Sequence, residues 1–370
     1  MPLPPSPQVH PLSRLLEERI AILDGAMGTN IQRFKPSEAD YRGSRFANNQ
    51  RDLLNNNEIL SLTQPQIIAD IHARFARVGA DILETNTFSA TSIAQADFFR
   101  PEPAHGQRKD QAFFDDTLAD PALDQLIADL NHASVQLARQ AADAATAADS
   151  RPRYVAGAIG PMPVTASLSP DVNDPGFRQV SFDQLRSSYR RQIDALIEAG
   201  ADLLLVETIF DTLNAKAALF AAEEAFEQVG RRLPVMVSFT ITDLAGRTLS
   251  GQTVEAFWAS IAHAKPFSVG INCALGADAM RPFAEELAHI ATVPISIYAN
   301  AGLPNPLSET GYDQTPEDMR HLMADYAKSG FLNIVGGCCG TTPEHIAAIA
   351  QGVQDLKPRP RPKPPPKTKN

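Results

Sequence analysis

One local pattern recurs along this chain and restricts its fold more than any other feature. It is an amphipathic helix, a glycine stop, and a short apolar strand that ends on polar residues. Residues 64–78 read as a helix with Ile67, Ile68, Ile71, Phe75 and Val78 on one face. Gly79-Ala80-Asp81 follows, and then Ile82-Leu83-Glu84-Thr85. The pattern returns at 182–199, closed by Gly200-Ala201-Asp202 and a strand ending in Glu207-Thr208. It returns again at 319–328, closed by Ser329-Gly330 and an apolar run to Val335. Helix, glycine stop and buried strand in alternation form the repeating unit of a parallel α/β fold. Strands are expected at 20–23, 80–83, 154–158, 203–206, 235–239, 268–271, 295–298 and 332–335. Eight strands with helices between them predict a single-domain (β/α)8 TIM barrel. A doubly wound open sheet is the alternative, and its dinucleotide-binding form lacks a Gly-x-Gly-x-x-Gly after the first strand.

In a barrel, functional groups gather where strands end. All three cysteines fall at such ends: Cys273 after the strand at 268–271, and Cys338-Cys339 after the strand at 332–335. Three soft sulfur donors in one mouth favour zinc, and three ligands leave a position open for substrate. Gly336-Gly337 and Gly340 flank the pair, so the backbone can turn and aim both sulfurs one way. Buried apolar cysteines, or a vicinal disulfide, are the competing readings. The other polar strand ends are Asp24, Glu84-Thr85-Asn86, Glu207-Thr208 and the run Tyr298-Ala299-Asn300.

The net charge of −10 argues against a nucleic-acid partner. No apolar run approaches the roughly 20 residues that span a bilayer. An odd cysteine count and no signal peptide point to a reducing cytoplasm. Three regions are expected: a flexible segment 1–11, a barrel 12–355, and a basic Pro-rich tail 356–370. The tail carries Lys357, Arg359, Arg361, Lys363, Lys367 and Lys369 without an acid, and reads as extended solvated coil. The polar stretch at 100–125 reads as an insertion or long loop, partly disordered.

Several motifs resemble the homocysteine S-methyltransferase family. They are Asp24-Gly25-Ala26-Met27-Gly28-Thr29, Glu84-Thr85-Asn86-Thr87-Phe88, Glu207-Thr208, Asn272-Cys273 and Gly336-Gly337-Cys338-Cys339-Gly340. Longer runs are similar to the homocysteine-binding module of cobalamin-dependent methionine synthases: Ser169–Pro175, Phe210–Ala218, Thr248–Thr253 and Asn300–Asn305. The resemblance spans roughly residues 12 to 355. It implies the same barrel, zinc on Cys273, Cys338 and Cys339, and homocysteine sulfur in the open position. It further implies that Asp24 and Glu207 receive the substrate ammonium, with Asn86 nearby, and that amides near Gly25 and Ala26 receive the carboxylate. The chain departs from the pattern at Pro161–Ser167 and at Tyr298-Ala299, where a proline is usual.

No Asp-x-His-x-x-Gly cobalamin motif is present; His72, in Asp70-Ile71-His72, reads as an exposed helix residue. The resemblance therefore implies methylcobalamin on a separate cobalamin- and folate-binding methionine synthase polypeptide. Two readings compete with it: a self-contained enzyme using S-methylmethionine or betaine, and a non-catalytic zinc-bound partner domain. Asn300 ends the strand between the two cysteine-bearing strands. It is expected near the zinc, closing the open position until homocysteine arrives.

Overall fold

The computed structural model describes residues 10–103, 108–306, 308 and 311–360. Eight parallel strands run in the order β1-β8-β7-β6-β5-β4-β3-β2. They are β1 (Ala21–Ile22), β2 (Ile82–Glu84), β3 (Tyr154–Ile159), β4 (Leu203–Ile209), β5 (Val235–Phe239), β6 (Ser268–Gly276), β7 (Ile295–Asn300) and β8 (Ile334–Gly337). A Leu23–Ile82 bridge joins the two ends of the sheet, so the predicted (β/α)8 barrel forms. The helices that follow the strands are α1 (Pro65–Arg77), α2 (Pro121–Asp149), α3 (Phe182–Glu198), α4 (Thr212–Val229), α5 (Val254–Ile261), α6 (Ala277–Ile290), α7 (Pro316–Lys328) and α8 (Pro343–Val353).

The repeated Gly-Ala-Asp grammar has a structural meaning. Gly79, Gly200 and Gly330 all adopt positive φ, +106°, +93° and +73°, which ends each helix without a Cβ clash. Two or three residues later a polar side chain clamps the preceding strand. Asp81 accepts from the Ile22 amide at 2.9 Å, Asp202 from Val155 at 2.7 Å, and Asn333 from Ile295 at 2.9 Å. Each clamp residue also donates its own amide to that same strand residue. The pairing sets strand register at the bottom of the barrel.

Period-two alternation divides the strands between two cores. Ala21, Leu23, Ile82, Ala156, Leu203, Leu205, Met236 and Ile334 fill the barrel interior. Leu12, Leu15 and Leu16 of the helix Pro11–Glu18 pack into the same cluster near the strand starts. Alternate residues such as Leu83, Val155, Leu204, Val237 and Val335 pack outward against the helices. Burying each such side chain contributes about 1.5–3 kcal/mol. Continued toward the strand ends, the inward phase changes from apolar to polar residues, and these build the site.

Three expectations are corrected. The stretch at 100–125 is largely helical: Gln111–Leu118 is capped by Asp110, and α2 begins at Pro121 behind an Asp120 cap. Residues 104–107 lie outside the described set. His72 is fully buried rather than exposed, and neither ring nitrogen has a hydrogen-bond partner. Burial holds its pKa down at about 4, so the ring is neutral. The reason is that α1 is covered on two sides, by the barrel and by the 29-residue α2.

The tail also departs from its reading as solvated coil. Arg359 is 6% exposed, and its guanidinium donates to the carbonyls of Ala288, Ala291 and Val293. Two of these belong to the last turn and C-cap of α6, where a cation complements the helix dipole. The backbone of Arg359 is tied to Leu332 and to the Asn333 side chain. Residues 361–370 lie outside the described set. Arg359→Ala would strand these buried carbonyls, at about 1–3 kcal/mol. A urea melt should show this as a lower midpoint with an unchanged slope. Among the described residues no helix is long and apolar enough to cross a membrane.

Candidate metal centre

The mouth of the barrel collects the three cysteines. Cys273 sits where β6 loses register with β7, between the pairs Asn272–Tyr298 and Gly276–Asn300. There Cys273 and Ala274 adopt φ of 61° and 46°, left-handed values that cost a non-glycine residue about 1–3 kcal/mol each. The strained turn re-aims the Cys273 side chain toward β8. Cys338 and Cys339 lie on the loop leaving β8. That loop is stitched to β7 by Cys338 N–H to Ala299 and by Ala301 N–H to the Cys339 carbonyl, at 2.8 and 2.9 Å. The flanking glycines are required by contact: a Cβ on Gly336 would stand 2.8 Å from Leu23 Cβ, and one on Gly337 2.5 Å from Thr341.

The three sulfurs lie within 4.8 Å of one another, and Cys273 Sγ is 3.8 Å from Cys339 Sγ. A tetrahedral zinc with bonds near 2.3 Å separates its sulfur ligands by about 3.8 Å. The donor set and its spacing therefore fit a metal with one face of the tetrahedron supplied by this chain. None of the three cysteines is in a disulfide, which excludes the vicinal disulfide in this structure. Hydrogen bonds from Cys273 and Cys338 hold Cys339 as the thiolate, with its pKa down at about 3. The Tyr312 hydroxyl also favours that thiolate.

A second cluster stands across the cavity. Glu84, Glu207 and Tyr298 share its wall with the three cysteines, in a space of about 390 Å³. Asp24 lies behind Glu84: its Oδ2 accepts from the Glu84 amide at 3.1 Å, and its Oδ1 is buried without a partner. Burial, then the charge of Glu207, pushes both Asp24 and Glu84 well above the usual carboxylate range. Burial likewise pushes Glu207 up to about 8, against the pull of the Tyr298 hydroxyl. No Lys, Arg or His lines the cavity among the described residues. Such a space favours a cation and leaves an anion to hydroxyls and backbone amides.

The remaining expected residues are placed as follows. Gly25 and Ala26 line the cavity ahead of the helix Met27–Phe34. The Ala26 amide is already engaged by Thr341 Oγ1 at 3.2 Å, so Ala26 is not a free anion donor. Asn86 lines the cavity, but its amide group is committed to the Asn57 carbonyl and Ser61 at 2.8 and 3.1 Å. Asn300 is buried at the end of β7 beside the cysteine loop, and its Oδ1 has no partner.

Sequence reading passed over the residue that joins the parts. Asn272 accepts from the Thr208 amide at 3.1 Å and from Ser238 at 2.7 Å. Its amide group donates to Thr208 Oγ1 at 2.8 Å and reaches Cys338 Sγ at 3.9 Å. It thereby ties the bulge after Glu207, where Thr208 has φ 55°, to the thiol cluster. Its place immediately before Cys273 was the available signal. Asn272→Ala should weaken metal binding about 10–100-fold, as loss of a group supporting a ligand does. Competition with a chromogenic chelator measures it.

Comparison with known proteins agrees with this geometry. Two crystal structures of the Escherichia coli homocysteine methyltransferase MmuM share the fold. The metallated form matches at 25% identity, covering 92% of this chain and 99% of that one, with a TM-score of 0.65. The oxidized form matches at 24% identity over 93% and 99%, with a TM-score of 0.66. The family model for homocysteine S-methyltransferase matches residues 21–353, from the first strand to the last barrel helix. The chain is thus a methyltransferase belonging to the homocysteine S-methyltransferase family.

Proposed function

We propose that this chain binds zinc through Cys273, Cys338 and Cys339, activates homocysteine as a thiolate, and directs its methylation to methionine. The observation that carries the reading is the sulfur triad, spaced as one face of a tetrahedron and open toward an acid-lined cavity. Zinc, when bound there, supplies a Lewis acid that keeps a substrate thiol ionised near neutral pH. Glu207, with Asp24 and Glu84, receives the substrate ammonium. Hydroxyls and amides at the start of the helix Met27–Phe34 receive the carboxylate, since among the described residues no cation lines the cavity. Asn300 Oδ1 stands next to the cysteine loop as a candidate oxygen to close the metal site before substrate arrives.

We assign the methyl donor to methylcobalamin carried by a separate cobalamin- and folate-binding polypeptide. The methionine-synthase-like runs support this, and so does the rim of the mouth. Phe34, Leu54, Phe88, Leu168, Val172, Leu244, Leu249 and Leu303 are exposed, and all lie between a strand end and the next barrel helix. Apolar side chains concentrated around a cavity mouth suit a surface that covers it. One observation favours a small onium donor such as S-methylmethionine or betaine instead: buried Glu58 lines the same cation-free cavity with Phe88 and Phe98.

X-ray absorption at the zinc edge tests the first step. Homocysteine should add one sulfur neighbour, and an unchanged sulfur count would reject direct activation. Offering the zinc-loaded protein methylcobalamin, S-methylmethionine and betaine separately decides the donor. Turnover with an onium donor alone would select the second reading.

A further inference from the structure

We propose that Tyr298 is a positioning residue that orients the Glu207 carboxylate toward the substrate ammonium. The inference rests on the homocysteine-binding reading above. Tyr298 is the inward residue of β7, held by pairing to Asn272 on one side and Gly336 on the other. It is 1% exposed, yet it lines the cavity together with Glu207 and Cys338. Its hydroxyl stands beside Glu207 and Ser238, but satisfies hydrogen-bond geometry with neither. A buried phenol without a partner is unfavourable, so this hydroxyl is poised for a bond that a small adjustment completes.

Two acceptors compete for it. Ser238 spends its own hydrogen on Asn272 at 2.7 Å, which leaves its oxygen as a neutral acceptor. Glu207 offers a carboxyl group that becomes a charged acceptor when the ammonium arrives, and charge-assisted hydrogen bonds are roughly twice as strong. No other donor to the Glu207 carboxylate is found among the described residues, and no cation lines the cavity. A buried carboxylate that gains this one donor is held in one rotamer. The free oxygen then faces the cavity, where an ammonium can meet it.

A double-mutant cycle on the zinc-loaded full chain tests the inference, with homocysteine binding read by calorimetry. Tyr298→Phe should weaken homocysteine about 10–100-fold, the loss expected for one hydrogen bond to a charged group. In the Glu207→Gln background the same change should cost less than about twofold, because the partner is gone. The affinity of 4-mercaptobutanoate, which is homocysteine without its amino group, should be unchanged by Tyr298→Phe. Wild-type affinity in Tyr298→Phe would overturn the proposal. So would an equal loss in both backgrounds, a matching loss for 4-mercaptobutanoate, or loss of zinc, each of which marks a purely structural role. If the wild-type protein binds zinc but neither thiol, the homocysteine reading itself fails; binding without Glu207–Tyr298 coupling removes only the assignment of Tyr298.

Discussion

Single Cys273→Ser, Cys338→Ser and Cys339→Ser variants are each expected to lose more than about 100-fold in zinc affinity and to lose methyl transfer. The comparison is with supporting groups around a metal, whose removal costs 10–100-fold; a direct ligand costs more. The three positions should be equivalent in direction, because the sulfurs form one cluster within 4.8 Å. They should differ in secondary effects. Cys273 sits on a left-handed turn, so the metal offsets local strain there, and apo protein should be most mobile around residues 272–276. Metal analysis after dialysis, paired with hydrogen exchange over β6, measures both. Full zinc retention in all three variants would remove the proposed centre.

Glu207→Gln is expected to leave zinc in place while weakening homocysteine by about 1.5–3 kcal/mol, the worth of a hydrogen bond to a charged group. The direction of its pKa sets the detail. Burial raises Glu207 to about 8, so near neutral pH the empty site holds it largely protonated. An arriving ammonium favours the ionised form, and binding then releases a proton from Glu207 in addition to the thiol proton lost to the metal. Calorimetry in buffers of different ionisation enthalpy should therefore count more protons released by the wild-type protein than by Glu207→Gln. Equal affinity and equal proton counts would return Glu207 to a structural role.

Local rules made much of this visible beforehand. The glycine stops and the short apolar runs mark where helices end and strands begin, because helix termination and strand burial are properties of a few adjacent residues. Several strand bounds shift: the expected 80–83 becomes Ile82–Glu84, 332–335 becomes Ile334–Gly337, 203–206 extends to Leu203–Ile209 and 268–271 extends to Ser268–Gly276. Ends are set by the neighbouring strand's hydrogen bonds, which a single segment does not contain. Cysteine placement at strand ends was likewise legible, since parallel topology directs every strand end to one face.

The errors share a cause. His72 and Arg359 are polar residues that a local reading sends to solvent. One is buried because α2 covers α1, and the other because α6 presents unpaired carbonyls to it. Neither neighbour is near in sequence. The stretch before α2 carried its signal in Asp110, Asp120 and Pro121, a pair of caps and a helix-initiating proline, but its polarity resembled a loop.

By itself, the sequence determined the strand–helix alternation, the inward phase that carries Glu84, Glu207, Asn272 and Tyr298, and the thiol chemistry available at the mouth. These follow from residue type and period, which are local. Only the tertiary structure decided which of those side chains meet. Closing eight strands into a barrel brings β4 opposite β7 and β8, so Glu207 finds Tyr298 and Asn272 reaches both Thr208 and Cys338. The left-handed turn at Cys273-Ala274, in residues with no propensity for it, is likewise imposed by the slip in pairing between β6 and β7. Contacts across a closed barrel depend on strand number and register together, and no segment of the chain encodes either alone.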